Sequence, residues 1–236
     1  MATQGESKRL SFSDRHIDAQ WINQCGEFPV HERCIIVNVA ASPIFVESDA
    51  PSIIRPWTST VLQHALLRNA DSLIVLRILE STNIGGVVLG PKWEWFGDRE
   101  PSFPRDIPLY VSSQDPVGSV TIDPRRLAGM SPSESLAIPF DVKVNLWYCP
   151  GNTDCVIHTG HKFLEVHTQI FGTGRMQKFH ENDEHSLYED VIMGPGLTHH
   201  TFAAISGDGS WKYPWHRYYG DTDCIWLAVE LHAQTS

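Results

Sequence analysis

Between Cys155 and Phe202 the chain reads CVIHTGHKFLEVHTQIFGTGRMQKF, then a polar break, then LYEDVIMGPGLTHHTF. Side chains able to do chemistry crowd into it, and nine of the twelve histidines lie at or after His158. In an extended strand, residues two apart share a face. His161, Glu165, His167 and Gln169 therefore project to one side, and Leu164, Val166, Thr168 and Ile170 to the other. Burying imidazoles, a carboxylate and an amide without partners costs roughly 1–3 kcal/mol each, so that face calls for something to bind. His158 sits just upstream across Thr159-Gly160, where glycine allows a bulge that turns His158 and His161 toward one point. His199 and His200 follow a GPG turn on opposite faces of their strand, so at most one of them points inward. Two or three imidazoles and one carboxylate around an open position form the donor set of a catalytic zinc, manganese or iron ion. A histidine-rich barrel lumen held by internal hydrogen bonds is the alternative. Groups able to move protons accompany the donors: His167, Lys178, His200 and Tyr218, with His216 shaping the pocket mouth. Glu230 and His232, near the chain end, read as solvated.

These residues need strands to hold them. From Phe140 onward about eight short antiparallel strands recur at 8–12-residue spacing, among them 141–149, 155–158, 161–172, 175–181, 187–193 and 198–206. That rhythm, with little helix, points to an all-β barrel or jelly roll. Upstream, 34–41, 43–48, 72–80 and 84–90 read as strands. Thr58 or Ser59 would cap a short helix carrying Val61, Leu62, Ala65 and Leu66. Residues 91–139 carry a proline every few positions, which excludes long helices and most central strands. They read as a loop-rich connector, with a short strand near Leu109–Ser112 and an aromatic WEWF cluster (93–96) pinned to the core or lining a pocket. The expected organisation is a flexible tail (1–15), an N-terminal β-rich region (16–139) and a barrel (140–236).

Bulk composition narrows the functional classes. The 236 residues are 42% hydrophobic and 19% charged, as in a folded globular protein. A formal net charge of -10 disfavours nucleic-acid backbones and anionic lipid as partners. No segment approaches the ~18 consecutive apolar residues of a membrane span. The polar start MATQGESKRL and five cysteines without a CxxC pair lead to the expectation of a cytoplasmic protein with reduced thiols.

Residues 140–232 resemble the cupin superfamily, whose first motif is G-x5-H-x-H-x3,4-E-x6-G and whose second is G-x5-P-x-G-x2-H. His161-x3-Glu165-x6-Gly172 fits the first, with His158 one residue further from His161 than the motif's leading histidine. Pro195-Gly196-x2-His199 fits the end of the second, with P-x-G shortened to P-G. The resemblance implies a double-stranded β-helix barrel with His158, His161, Glu165 and His199 as ligands of a divalent ion (zinc, manganese or iron). His167 stands in reserve for one of the leading pair. It also implies a homodimer, and residues 16–139 as either an extension or a degenerate first barrel of a bicupin. The favoured chemistry is isomerase or dehydratase proton transfer on a small oxygenated, sugar-like or keto substrate. An Fe(II) dioxygenase and a ligand-binding barrel without turnover are the alternatives.

Overall fold

The structure, a computed structural model, describes residues 5–234. It is all-β apart from short 3-10 turns and one four-residue helix, α1 (Phe96–Arg99). The N-terminal strands are β1 (Glu6–Arg9), β2 (Ile17–Val30), β3 (Cys34–Asn38), β4 (Ile44–Glu47), β5 (Ser52–Ile54), β6 (Ser59–Leu62) and β7 (Ala65–Ile78). Next come β8 (Trp93–Trp95), β9 (Tyr110–Ser112), β10 (Asp115–Ile122), β11 (Ile138–Cys149), β12 (Thr153–Asp154), β13 (Leu164–Phe171) and β14 (Gly174–Phe179). The last are β15 (Leu187–Met193), β16 (Thr198–His199), β17 (Ala204–Ile205), β18 (Trp211–Lys212), β19 (Trp215–Gly220) and β20 (Cys224–Ala233).

The C-terminal strands build a jelly roll. One sheet runs β16-β13-β20-β11 and the facing one β12-β19-β14-β15, so the chain crosses repeatedly from sheet to sheet. Alternation assigns the two faces of the first sheet. Leu164, Val166 and Ile170, with Ile225, Leu227, Val229 and Leu231, turn outward into one apolar core. The intervening Glu165, His167 and Gln169 face the lumen, as expected from the sequence.

The N-terminal region repeats this order in compressed form. Residues 17–23 of β2 pair with 72–78 of β7, which pairs with β3 and through it β6. Residues 26–30 of β2 pair with 65–70 of β7, which also pairs with β4 and through it β5. The orders β2-β7-β3-β6 and β2-β7-β4-β5 thus match β11-β20-β13-β16 and β12-β19-β14-β15. Strand pairs that are separate in the second barrel are fused into two 14-residue strands in the first. Each bends at a bulge, where Gln24, Gly26 and Asn69 take positive φ. The first lumen is filled by Cys34, Ile36, Ile44, Val46, Ile54, Leu67 and Leu73, with no cluster of ligating groups among the described residues. This is a smaller barrel whose lumen is lined by apolar side chains.

The barrels pack back to back. Ile35, Val37, Ile74 and Leu76 of the first belong to the same core as the outward residues of β11, β13 and β20. A polar stitch crosses beside it: Ser59 Oγ donates to Gly196 O at 2.8 Å, and Thr198 Oγ1 lies 2.6 Å from Ser59 Oγ.

Four expectations are corrected. Residues 5–15 are not a flexible tail: β1 pairs with β2, and Leu10 and Phe12 are buried (residues 1–4 lie outside the described residues). The helix at 58–66 is a β6-β7 turn in which His64 has a positive φ of 53°. Residues 84–90 form a 3-10 turn rather than a strand. The boundary at 139/140 fails too, because β8, β9 and β10 join β11's sheet. Most of these prolines fall outside the strands, and Pro116 lies in β10, which pairs on one side only, with β11. No helix among the described residues is long and apolar enough to cross a membrane.

Candidate metal centre

Three imidazoles converge at one end of the C-terminal lumen. His158 and His161 come from the loop between β12 and β13, where Gly160 takes φ +88°. His216 comes from β19. Reciprocal backbone bonds of 2.9 Å between His158 and His216 fix two of the three rings to each other. Nε2 of His161 lies 3.0 Å from Nε2 of His158 and 3.0 Å from Nε2 of His216.

The tautomers decide what this geometry means. Nδ1 of His158 is 3.0 Å from Val156 O, and Nδ1 of His216 is 2.9 Å from Pro214 O. A carbonyl only accepts, so Nδ1 carries the proton in both rings and each Nε2 presents a lone pair. Burial lowers the pKa of His158, and that of His216 to about 3, so both rings are neutral at physiological pH. Two lone pairs facing His161 Nε2 at 3.0 Å call for a proton or a cation between the rings. Nitrogens 3.0 Å apart at right angles lie about 2.1 Å from a common point, the usual metal–imidazole distance. A carbonyl holding the far ring nitrogen is the usual support of a metal-bound histidine.

Glu165 completes the set. Its Oε1 lies 3.5 Å from His161 Nε2, is buried and has no hydrogen-bond partner. Its Oε2 lies 3.1 Å from Nε2 of His167, whose Nδ1 is also buried and unpartnered. Burial opposes ionisation of Glu165, but His167 above all, with His161 and His216, brings its pKa down to about 2. The donors thus comprise three imidazoles and a carboxylate, a set suited to zinc, manganese or iron.

Other expected site residues stand elsewhere. His199 pairs in register with His167 and is buried, but its Nδ1 lies 2.6 Å from His200 O and its ring is not among the converging nitrogens. His216, and not His199, stands with His158 and His161 where the imidazoles converge. Lys178 does not line the cavity; its Nζ sits 2.7 Å from Glu189 Oε2. His200 is exposed and turns into a separate cleft with Arg55 and Trp57. Tyr218 does line the cavity, but its hydroxyl donates to Gln169 Oε1 at 2.5 Å. Of the four proton-moving candidates, only His167 keeps a free nitrogen at the site. Glu230, expected to be solvated, is buried and accepts from Gln114 Nε2 and pairs with His232 Nε2, both at 2.8 Å.

His216 was not among the expected ligands, because the converging imidazoles come from segments far apart in sequence. A signal existed in YPWHRYY: His216 shares a face with Tyr218.

The three imidazoles open into a cavity of about 360 Å³. Its floor is a row of near-parallel rings, Trp147, Trp226 and Tyr218, with interplanar angles of 8° and 19°. Its outer wall is Phe96 and Phe103 from the 93–109 segment, with Phe96 edge-on to Trp147.

No family model and no curated protein matches the chain. Solved structures similar to it include a cupin 2 conserved barrel domain protein from Leptotrichia buccalis, at 8% identity and TM-score 0.31 over 98% of this chain and 90% of that one. Another is Bacillus subtilis oxalate decarboxylase, at 9% identity and TM-score 0.30 over 98% and 74%. A third is vicilin from Corylus avellana, at 9% identity and TM-score 0.30 over 97% and 83%.

Proposed function

We propose that the chain is a two-barrel cupin whose C-terminal barrel is a divalent-metal enzyme catalysing proton transfer, as an isomerase or a lyase, on a small keto-type metabolite. The observation that carries this reading is the convergence of three Nε2 atoms, two of them presenting lone pairs fixed by carbonyls, beside the unpartnered Oε1 of Glu165.

His158, His161 and His216 would hold the ion, with Glu165 as the carboxylate donor. A divalent cation there supplies a Lewis acid that polarises a substrate carbonyl. The protein supplies the base. His167 donates Nε2–H to Glu165 Oε2, which leaves the lone pair on its Nδ1. That nitrogen takes the proton next to the carbonyl and returns it to a neighbouring carbon or to a departing hydroxyl. The carboxylate orients the ring and stabilises the imidazolium while the proton is held. Aromatic walls keep bulk water away. Lys178 and His200 have no part in this scheme, and Tyr218 serves as floor.

Exchange of the substrate's α-proton tests the scheme. With manganese or zinc bound, exchange of the α-proton of 2-oxo acids in D2O, followed by NMR, is expected in wild type and lost in His167→Gln at unchanged metal content. Exchange that persists in His167→Gln removes His167 as the base. Binding without exchange in wild type would favour a barrel that holds its ligand unchanged. An iron-dependent oxygenase is the second reading, favoured by the aromatic cavity beside three imidazoles. Oxygen uptake with iron but not zinc would establish it.

A further inference from the structure

We infer that the natural substrate has an apolar, ring-sized body behind its oxygenated head, and that Phe96 is a specificity-determining residue for it. This rests on the metal-enzyme reading above.

The polarity of the cavity is one-sided. His158, His161, His216, Glu165 and His167 gather at one end. Beyond them the walls are Phe96, Phe103, Leu109, Trp147, Met176 and Trp226, with Glu100 and Ser102 on the segment that carries Phe103. Among the described residues no lysine or arginine lines the cavity. The polar side chain at its floor, Tyr218, commits its hydroxyl to Gln169, and the Gln169 amide in turn donates to Phe171 O at 2.6 Å.

A polyol or sugar would therefore bring hydroxyls to walls that offer them few partners, and each buried unpaired hydroxyl is costly. A phosphorylated substrate would find no cation to receive its charge. A flat apolar group gains on both counts. It loses no hydrogen bonds, and it meets walls of Phe96, Phe103, Trp147 and Trp226, against which an aromatic ring packs favourably edge-on or offset. The volume of about 360 Å³ lies at the lower end of small-molecule sites, enough for one ring and a short head. The head faces the imidazoles, because only that end offers donors. The sugar-like half of the sequence expectation is thereby set aside and the keto half retained.

Acetohydroxamate and benzohydroxamate test this directly, since both chelate through the same two oxygens and differ in a methyl against a phenyl. Affinity for the full chain reconstituted with manganese is read from quenching of tryptophan fluorescence and by calorimetry, with metal content measured on each sample. Benzohydroxamate is expected to bind at least tenfold more tightly to wild type. Phe96→Ala should remove most of that preference and Phe96→Leu restore part of it, at the metal content of wild type. Equal affinity for the two probes on a fully metallated protein overturns the inference and leaves the metal centre standing. A preference untouched in Phe96→Ala overturns the role of Phe96. A wild type that takes up no metal overturns the inference together with the reading beneath it.

Discussion

Oε2 of Glu165 lies 3.1 Å from Nε2 of His167, two residues along one strand, while Oε1 of the same carboxylate lies 3.5 Å from Nε2 of His161. One carboxylate thus faces the three-histidine cluster with one oxygen and holds the His167 ring with the other. Strand alternation alone places both residues on the lumenal side.

Glu165→Gln keeps the shape and removes the charge. Because Glu165 ionises at about 2, the wild-type group is fully charged at neutral pH. The amide is expected to weaken manganese or zinc binding by about 10–100-fold, measured by competition with a chromophoric chelator. Unchanged affinity would remove Glu165 from the site.

Metal addition should stabilise the fold. An ion at a hundred times its dissociation constant adds about 2.7 kcal/mol, which raises the melting temperature of a chain this size by about 5–10 °C. Differential scanning calorimetry with and without EDTA reads the shift. Wild type that melts at one temperature in both would count against a structured site.

His199 gives a pH dependence of its own. Burial, the largest cause, lowers its pKa to about 4, against about 6.5 in an unfolded chain. Between those values the unfolded chain takes up a proton that the native one refuses. The contribution is complete above pH 6.5, declines as pH falls and is lost by about pH 4, amounting to roughly 3 kcal/mol. Urea titrations from pH 7 to 4 should show a shallower decline for His199→Gln. An identical decline would show that His199 is protonated in the native protein.

Gly196 couples the two barrels. It takes φ +85°, and a Cβ there would lie 2.4 Å from Val61 Cγ2. Gly196→Ala is expected to destabilise the chain by more than about 1 kcal/mol, seen as a lower urea midpoint. Gly207→Ala, with nothing within 4 Å of its Cβ, is the matched control.

Much of the second barrel was legible because its strands alternate. LYEDVIM reads as 187–193 and forms Leu187–Met193, and the lumenal face of Leu164–Phe171 follows from period two. The first barrel was harder. Its lumen has no polar face, and its fused strands hide the count: Val61, Leu62, Ala65 and Leu66 have helical spacing, yet a turn at His64 splits them between two strands. Prolines around Trp93–Trp95 masked a strand whose shortness and edge position let it coexist with them. Sheet pairing brings β12 beside β19, and with it His158 beside His216, a relation between residues 58 positions apart that no local spacing encodes.

The choice between His216 and His199 as the third imidazole is the most direct test. Metal content by mass spectrometry, on protein reconstituted with manganese or zinc and desalted, is compared among wild type, His216→Ala and His199→Ala. The expected result is near one ion per chain in wild type and His199→Ala, and almost none in His216→Ala. Metal retained in His216→Ala but lost in His199→Ala, or no metal in wild type after reconstitution, would contradict a centre built on His158, His161 and His216.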